Sequence, residues 1–167
     1  MAYTAIDDPE AYFQVVLYTG NGSDDKAITF DGDTDMQPDF VWIKERDDTS
    51  AHNSYDSVRG VTKYLYVDEA GTETTTDRSL TAFDSDGFTV NDHVFINESG
   101  STYVAWCWKE SATAGFDIVA YTGNGSDRDI SHSLSAVPSM LIAKNLESTH
   151  NWMVNHQPLN ASLSDHS

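Results

Sequence analysis

Residues 102–108 read Thr-Tyr-Val-Ala-Trp-Cys-Trp, and their side chains fall into two sets with a period of two. Tyr103, Ala105 and Cys107 point one way, and Val104, Trp106 and Trp108 the other, as alternate side chains of a strand must. Both sets are apolar, which predicts a central strand, largely buried. Residues 14–18, 40–44, 63–67, 93–97 and 117–121 are further short runs of strand-forming composition. Residues 83–90 predict a hairpin with Asp86-Gly87 at its turn. Asp8-Pro9-Glu10-Ala11 predicts a cap and a single helical turn, and nothing else has helical periodicity. Many short strands separated by turn residues predict an all-β sandwich.

The pattern occurs twice. Tyr-Thr-Gly-Asn-Gly-Ser-Asp stands at residues 18–24 and again at 121–127. The similarity extends outward: residues 13–17 lie over 116–120, Ile28-Thr29 over Ile130-Ser131, and residues 37–44 over 137–144. Residues 49–53 lie over 149–153 only loosely. Each copy reads strand, glycine turn, short strand, loop, proline, apolar strand, lysine. The expected organisation is a complete module over residues 1–112, followed by the N-terminal half of a second over 113–167. A half-module leaves unpaired strand edges, to be completed by another chain or by a continuation of this one.

The motifs Tyr-Thr-Gly-Asn-Gly-Ser, Gln-Pro-Asp-Phe-Val-Trp-Ile-Lys-Glu-Arg-Asp, Asp-Ser-Val-Arg-Gly, Ser-Asp-Gly-Phe-Thr-Val and Tyr-Val-Ala-Trp-Cys-Trp-Lys follow one another between residues 18 and 109. In that order they resemble an uncharacterised family of tail-associated, virion-surface proteins of marine tailed bacteriophages. The resemblance implies a jelly-roll-like antiparallel β-sandwich related to concanavalin-type lectin modules. It implies a structural protein of the virion, in a tail fibre or on the particle exterior, with no established enzymatic activity, and a non-enzymatic protein is expected. Other virion proteins would be its partners, and by analogy with fibres it would be a homo-oligomer, a trimer.

Charge narrows the partners. Acidic residues outnumber basic ones 27 to 9, a net charge of −18. Such a field repels phosphate backbones and anionic lipid, so neither nucleic acid nor membrane insertion is expected. It also keeps a protein soluble at high ionic strength. The N-terminus has no basic region followed by an apolar run, so no signal peptide is expected and the virion protein would be made in the host cytoplasm. The single cysteine, Cys107, excludes an intramolecular disulfide. Lying between two tryptophans, it reads as core packing and not as a reactive thiolate.

Candidate chemistry is sparse. Asp31, Asp33 and Asp35 alternate on a loop, a spacing that offers oxygen ligands to calcium. No other cofactor is expected. Tyr55, Tyr66 and Trp152 lie near predicted loops and are candidates for stacking on a host-surface glycan, whereas Trp42 and Trp106 read as core. Residues 67–77 read as a mobile polar tip, which argues against Glu69 and Glu73 as a hydrolytic pair. Arg59, beside Asp56, reads as a loop-pinning ion pair. The leading expectation is a non-enzymatic virion protein that adheres to the host surface. The alternatives are a carbohydrate-binding adhesin with a defined glycan site and a glycan-degrading tail enzyme.

Overall fold

A computed structural model describes residues 6–157. A single 3-10 turn, Pro9–Ala11, is capped by the Asp8 side chain, which accepts from the Glu10 amide. Eleven strands and one short helix follow. Nine strands build the first module. β1 (Phe13–Thr19), β9 (Thr102–Trp108), β3 (Phe40–Glu45), β4 (Asn53–Asp56), β5 (Lys63–Tyr66) and β6 (Thr74–Thr75) form a six-stranded sheet in that spatial order. β2 (Lys26–Thr29), β8 (Gly87–Val90) and β7 (Leu80–Asp84) form a three-stranded sheet. Every pairing is antiparallel. Val16, Val41, Ile43, Tyr55, Ala105 and Cys107 from the large sheet meet Ile28, Leu80, Phe88 and Val90 from the small one in a single buried core. The fold is thus the expected all-β sandwich. No helix among the described residues is long and apolar enough to cross a membrane.

β9 is the central strand of the large sheet. Seven of its residues are in register with β1, from Phe13↔Trp108 to Thr19↔Thr102, and six with β3, from Phe40↔Trp108 to Glu45↔Tyr103. Tyr103, Ala105 and Cys107 face the core. The Tyr103 hydroxyl donates to the Val94 carbonyl and accepts from the Glu98 amide, so a buried polar group is satisfied twice.

Three expected segments take a different form. Residues 93–97 do not form a strand. They form one helical turn, α1 (Val94–Asn97), with the His93 ring accepting from the Phe95 amide at its start. Residues 67–77 are not a free tip: β6 pairs with β5, and the Glu73 amide donates to the Leu146 carbonyl. Residues 117–121 do not form a strand either, although residues 13–19, which they resemble, do. The partner of β1 is β9, and no strand among the described residues stands in that place in the second copy.

What does form in the second copy keeps the geometry of the first. β10 (Met140–Ala143) pairs with β11 (Met153–His156) from Met140↔His156 to Ala143↔Met153. Each pair lies 100 residues after its counterpart in β3 and β4, Phe40↔Asp56 to Ile43↔Asn53. The loop repeats as well: Lys44 Nζ donates to the Glu45 and Asp48 carbonyls, and Lys144 Nζ to the Asn145 and Ser148 carbonyls.

The glycine turn of the first copy is held by Asn97. This fully buried side chain accepts from the Asn21 amide and donates to the Ser23 and Asn91 carbonyls. Gly20 fits only because it lacks a Cβ, which would stand 2.1 Å from the Glu98 carbonyl oxygen. Gly123, the counterpart of Gly20, has no such neighbour within 4 Å. Gly87 opens β8 at φ +119, where a Cβ would collide with the Ile28 carbonyl; its pairing with Asp84 places the hairpin turn on Ser85-Asp86, one residue before its expected place.

Arg59 pins its loop as expected. Its guanidinium pairs with Asp56 and Glu73 and donates to the Ser54 carbonyl, with its side chain and that of Asp56 both under a tenth exposed. Removing one partner of a buried pair leaves an uncompensated charge. Arg59→Ala is therefore expected to lower the unfolding free energy by about 3 kcal/mol, measured from the denaturant midpoint at unchanged slope.

Burial raises the pKa of Tyr18 and Tyr55 well above the usual phenol value, and burial likewise pushes Tyr103 up to about 12. The unfolded chain ionises its tyrosines near pH ~10, so the fold keeps their full contribution below that pH. It loses it as pH rises from about 10 towards 12, because only the unfolded chain can ionise there. Tyrosinate absorbance followed through an alkaline titration should show a late group of tyrosines that appears together with loss of β-sheet signal.

Candidate interaction surface

The six-stranded sheet has two faces, and the outer one carries the unusual chemistry. Along β1, Gln14 and Val16 turn inward, while Phe13, Val15 and Leu17 turn outward and are 39%, 43% and 61% exposed. The registers extend these outward residues across the sheet into rows: Val15, Trp106 and Trp42 form one, and Phe13, Trp108 and Phe40 another. The expectation that Trp42 and Trp106 lie in the core is therefore corrected. They are half-buried on the outer face, and the inward positions beside them are Val41, Ile43, Ala105 and Cys107.

The rings pack against each other. Trp42 and Trp106 lie 5.7 Å apart at 58°, Phe13 and Trp108 4.9 Å apart at 48°, and Phe40 and Trp108 5.6 Å apart at 60°. Trp42 Nε1 donates to His52 Nδ1 at 3.0 Å, which satisfies its one polar atom and fixes the imidazole tautomer. Phe116 closes one end of the face against Trp108 and Phe40. On the β4 side the face is covered: Ser54 and Asp56 are buried beneath Arg59. On the β1 side it is open, and β1 is itself the edge of the sheet. The apolar face thus continues onto an unpaired strand edge, and an exposed patch of this kind takes a protein, a ligand or a membrane.

The expected site residues do not assemble into one site. Tyr55 is fully buried in β4 against Tyr64, so it offers no face to a sugar, and as a ligand residue it is corrected to core. Its surroundings in sequence, His-Asn-Ser-Tyr-Asp-Ser, are polar and concealed a buried strand. Tyr66 and Trp152 do come together: Trp152 Nε1 donates to the Tyr66 and Glu69 carbonyls at 3.2 and 3.0 Å. Both are half-buried, and this contact ties the second copy to the first. The Tyr66 ring packs on Tyr64 and Phe95.

Asp31, Asp33 and Asp35 are exposed on the loop between β2 and β3, and no group of three acidic, histidine or cysteine side chains among the described residues converges to hold a metal. The loop's polar groups have other partners. The Asp33 amide donates to Glu10, the Thr34 hydroxyl to Asp8, and Gln14 donates to the Thr34 carbonyl. The loop is thus organised by the segment around the N-terminal turn.

Cys107 lies fully buried on the core side of β9, and burial raises its thiol pKa far above the usual range. A thiol kept protonated and out of solvent reacts slowly. Alkylation of the native protein at neutral pH is expected to be negligible, and to become complete on unfolding in denaturant, read by mass spectrometry.

The chain is thus an antiparallel β-sandwich module with an open aromatic sheet face, followed by part of a second copy. Residues 8–166 match the profile of one family, a domain of unknown function (DUF7483), and the chain belongs to that family. No curated protein and no solved structure matches it.

Proposed function

We propose that this chain is a non-enzymatic structural protein of a phage particle exterior or tail fibre, which assembles with copies of itself and other virion proteins through the outer face of its large sheet. The observation that carries the proposal is the row that runs from half-buried Trp42 and Trp106 to exposed Val15, with exposed Leu17 beside Val15 on the same open strand edge. The particle setting rests on the resemblance of five ordered motifs. Duplication of the module supports it, because repeated modules suit extended assemblies with many contacts.

Ring geometry favours a protein neighbour over a glycan. A pyranose stacks on the flat face of an aromatic ring, whereas Trp42, Trp106 and Trp108 are tilted at 48–62° against Phe13, Phe40, His52 and each other, and Trp108 is stacked at 29° against Phe116. Such tilted clusters suit interdigitation with apolar side chains. The adhesin reading is retained as the alternative, and adhesion to a host surface remains compatible with assembly through this face.

The net charge of −18 opposes association of copies, and salt screens that repulsion. Light scattering is expected to show a monomer at low ionic strength and an oligomer, a trimer by the fibre analogy, at high ionic strength. Leu17→Lys and Val15→Lys should hold the chain monomeric at every salt concentration while leaving its melting temperature nearly unchanged, since both side chains are exposed. A wild-type chain that stays monomeric at all salts and binds a host envelope polysaccharide would overturn the proposal in favour of the adhesin.

A further inference from the structure

One group of oxygens on the first module is left without a partner. Gln14, near the start of β1, is only 7% exposed. Its Nε2 donates to the Glu10 carbonyl at 3.1 Å and to the Thr34 carbonyl at 2.8 Å, which uses both hydrogens of the amide. Oε1 is thereby turned towards Gly32, and it has no hydrogen-bond partner among the described residues. A Cβ on Gly32 would stand 2.7 Å from Gln14 Oε1 and 2.8 Å from Glu10 Oε2. The Gly32 backbone lies outside the left-handed region, so the missing side chain leaves space and does not serve a turn. That space belongs to a cleft lined by Glu10, Phe13, Gln14, Val15, Asp31 and Gly32. The Asp31 side chain is exposed, and no described residue bonds to its carboxylate.

We propose that this cleft binds a primary alkylammonium group, supplied by a lysine side chain of a neighbouring protein. The lining decides the ligand. Its polar side chains offer acceptors only: Gln14 Oε1 and the carboxylates of Glu10 and Asp31. An ammonium has three N–H donors and no acceptor, and hydrogen bonds between it and carboxylates are charge-assisted. Phe13 and Val15, 39% and 43% exposed, supply an apolar wall. A lysine stem packs along such a wall while its charged head reaches the oxygens. Calcium fits less well. It takes about six to eight oxygens, and no three acidic side chains converge among the described residues. Phe13 and Val15 also belong to the outer face of the large sheet, so the cleft lies at the rim of the surface proposed for assembly. The source of the lysine rests on that reading, and the site itself does not.

The test uses the full chain at low ionic strength, with n-butylammonium as the probe and n-butanol as its neutral counterpart. The NMR signals of the Gln14 side-chain amide and of the Asp31 and Gly32 backbone amides are followed through each titration. The proposal predicts a saturable shift of these signals with n-butylammonium and none with n-butanol. Asp31→Asn should raise the Kd about tenfold or more. Gly32→Ala should abolish binding without changing the charge, and its methyl group meets only the ends of two flexible side chains, so the fold is kept. Absence of a saturable shift in the wild-type chain would overturn the site, and so would calcium that displaces n-butylammonium from it. Acetyl-Val-Lys-Val-amide tests the source: tighter binding than n-butylammonium supports a protein lysine, and equal or weaker binding overturns it. Assembly is read separately by light scattering, so a chain that binds n-butylammonium yet stays monomeric at every salt concentration would refute the assembly reading and leave the site standing.

Discussion

The double pairing of β9 is the constraint on which the rest of the molecule depends. It joins β1 to β3, so that strands far apart in sequence become one sheet. Its inward residues, Tyr103, Ala105 and Cys107, are completely buried, and its outward residues build the middle of the aromatic face. The segment just before it closes the module: Asn97 grips the glycine turn and Tyr103 anchors α1. A strand with ladders on both sides and packing on both faces has little freedom to slip, since a shift of one residue would exchange its two faces.

The repeated Tyr-Thr-Gly-Asn-Gly-Ser-Asp phrase shows how far such a constraint reaches. In the first copy Tyr18 stacks on Tyr103 at 5.1 Å and donates to the Ile96 carbonyl. In the second, Tyr121 is 58% exposed. The local turn persists in both: Asn21 accepts from the Ser23 amide and Asn124 from the Ser126 amide. Short-range hydrogen bonding is thus written in the phrase itself, while strand formation comes from a partner more than 80 residues away, as in Tyr18↔Tyr103. The β10–β11 hairpin survives because its two strands lie close in sequence and pair with each other, so loop closure is cheap.

The same distinction separates what was legible in the sequence from what was not. β1, β3, β8 and β9 were legible because alternation and β-branched composition are local properties. The choice of inner face in β9 was not, since both sets are apolar; the sandwich takes the smaller Ala105 and Cys107 inward and leaves the bulky Trp106 and Trp108 outside. A buried Tyr55 among polar neighbours was illegible because its surroundings come from other strands. α1 was too short for periodicity to register, and its His93 cap resembles a strand residue in sequence. The acidic loop displays the spacing of a cation site in its sequence, and its contacts with Glu10 and Gln14 are not revealed by the alternation of aspartates.

One measurement tests the central claim directly. The two copies of the phrase, residues 18–24 and 121–127, are identical in sequence, so nearly all their amides share the same intrinsic exchange rates and any difference in protection reports tertiary structure. Hydrogen exchange of the isolated chain should show the first copy strongly protected around Tyr18 and Gly20 and the second exchanging close to the unstructured rate. Equal protection in the two copies would contradict the account, because the phrase would then form its strand without β9.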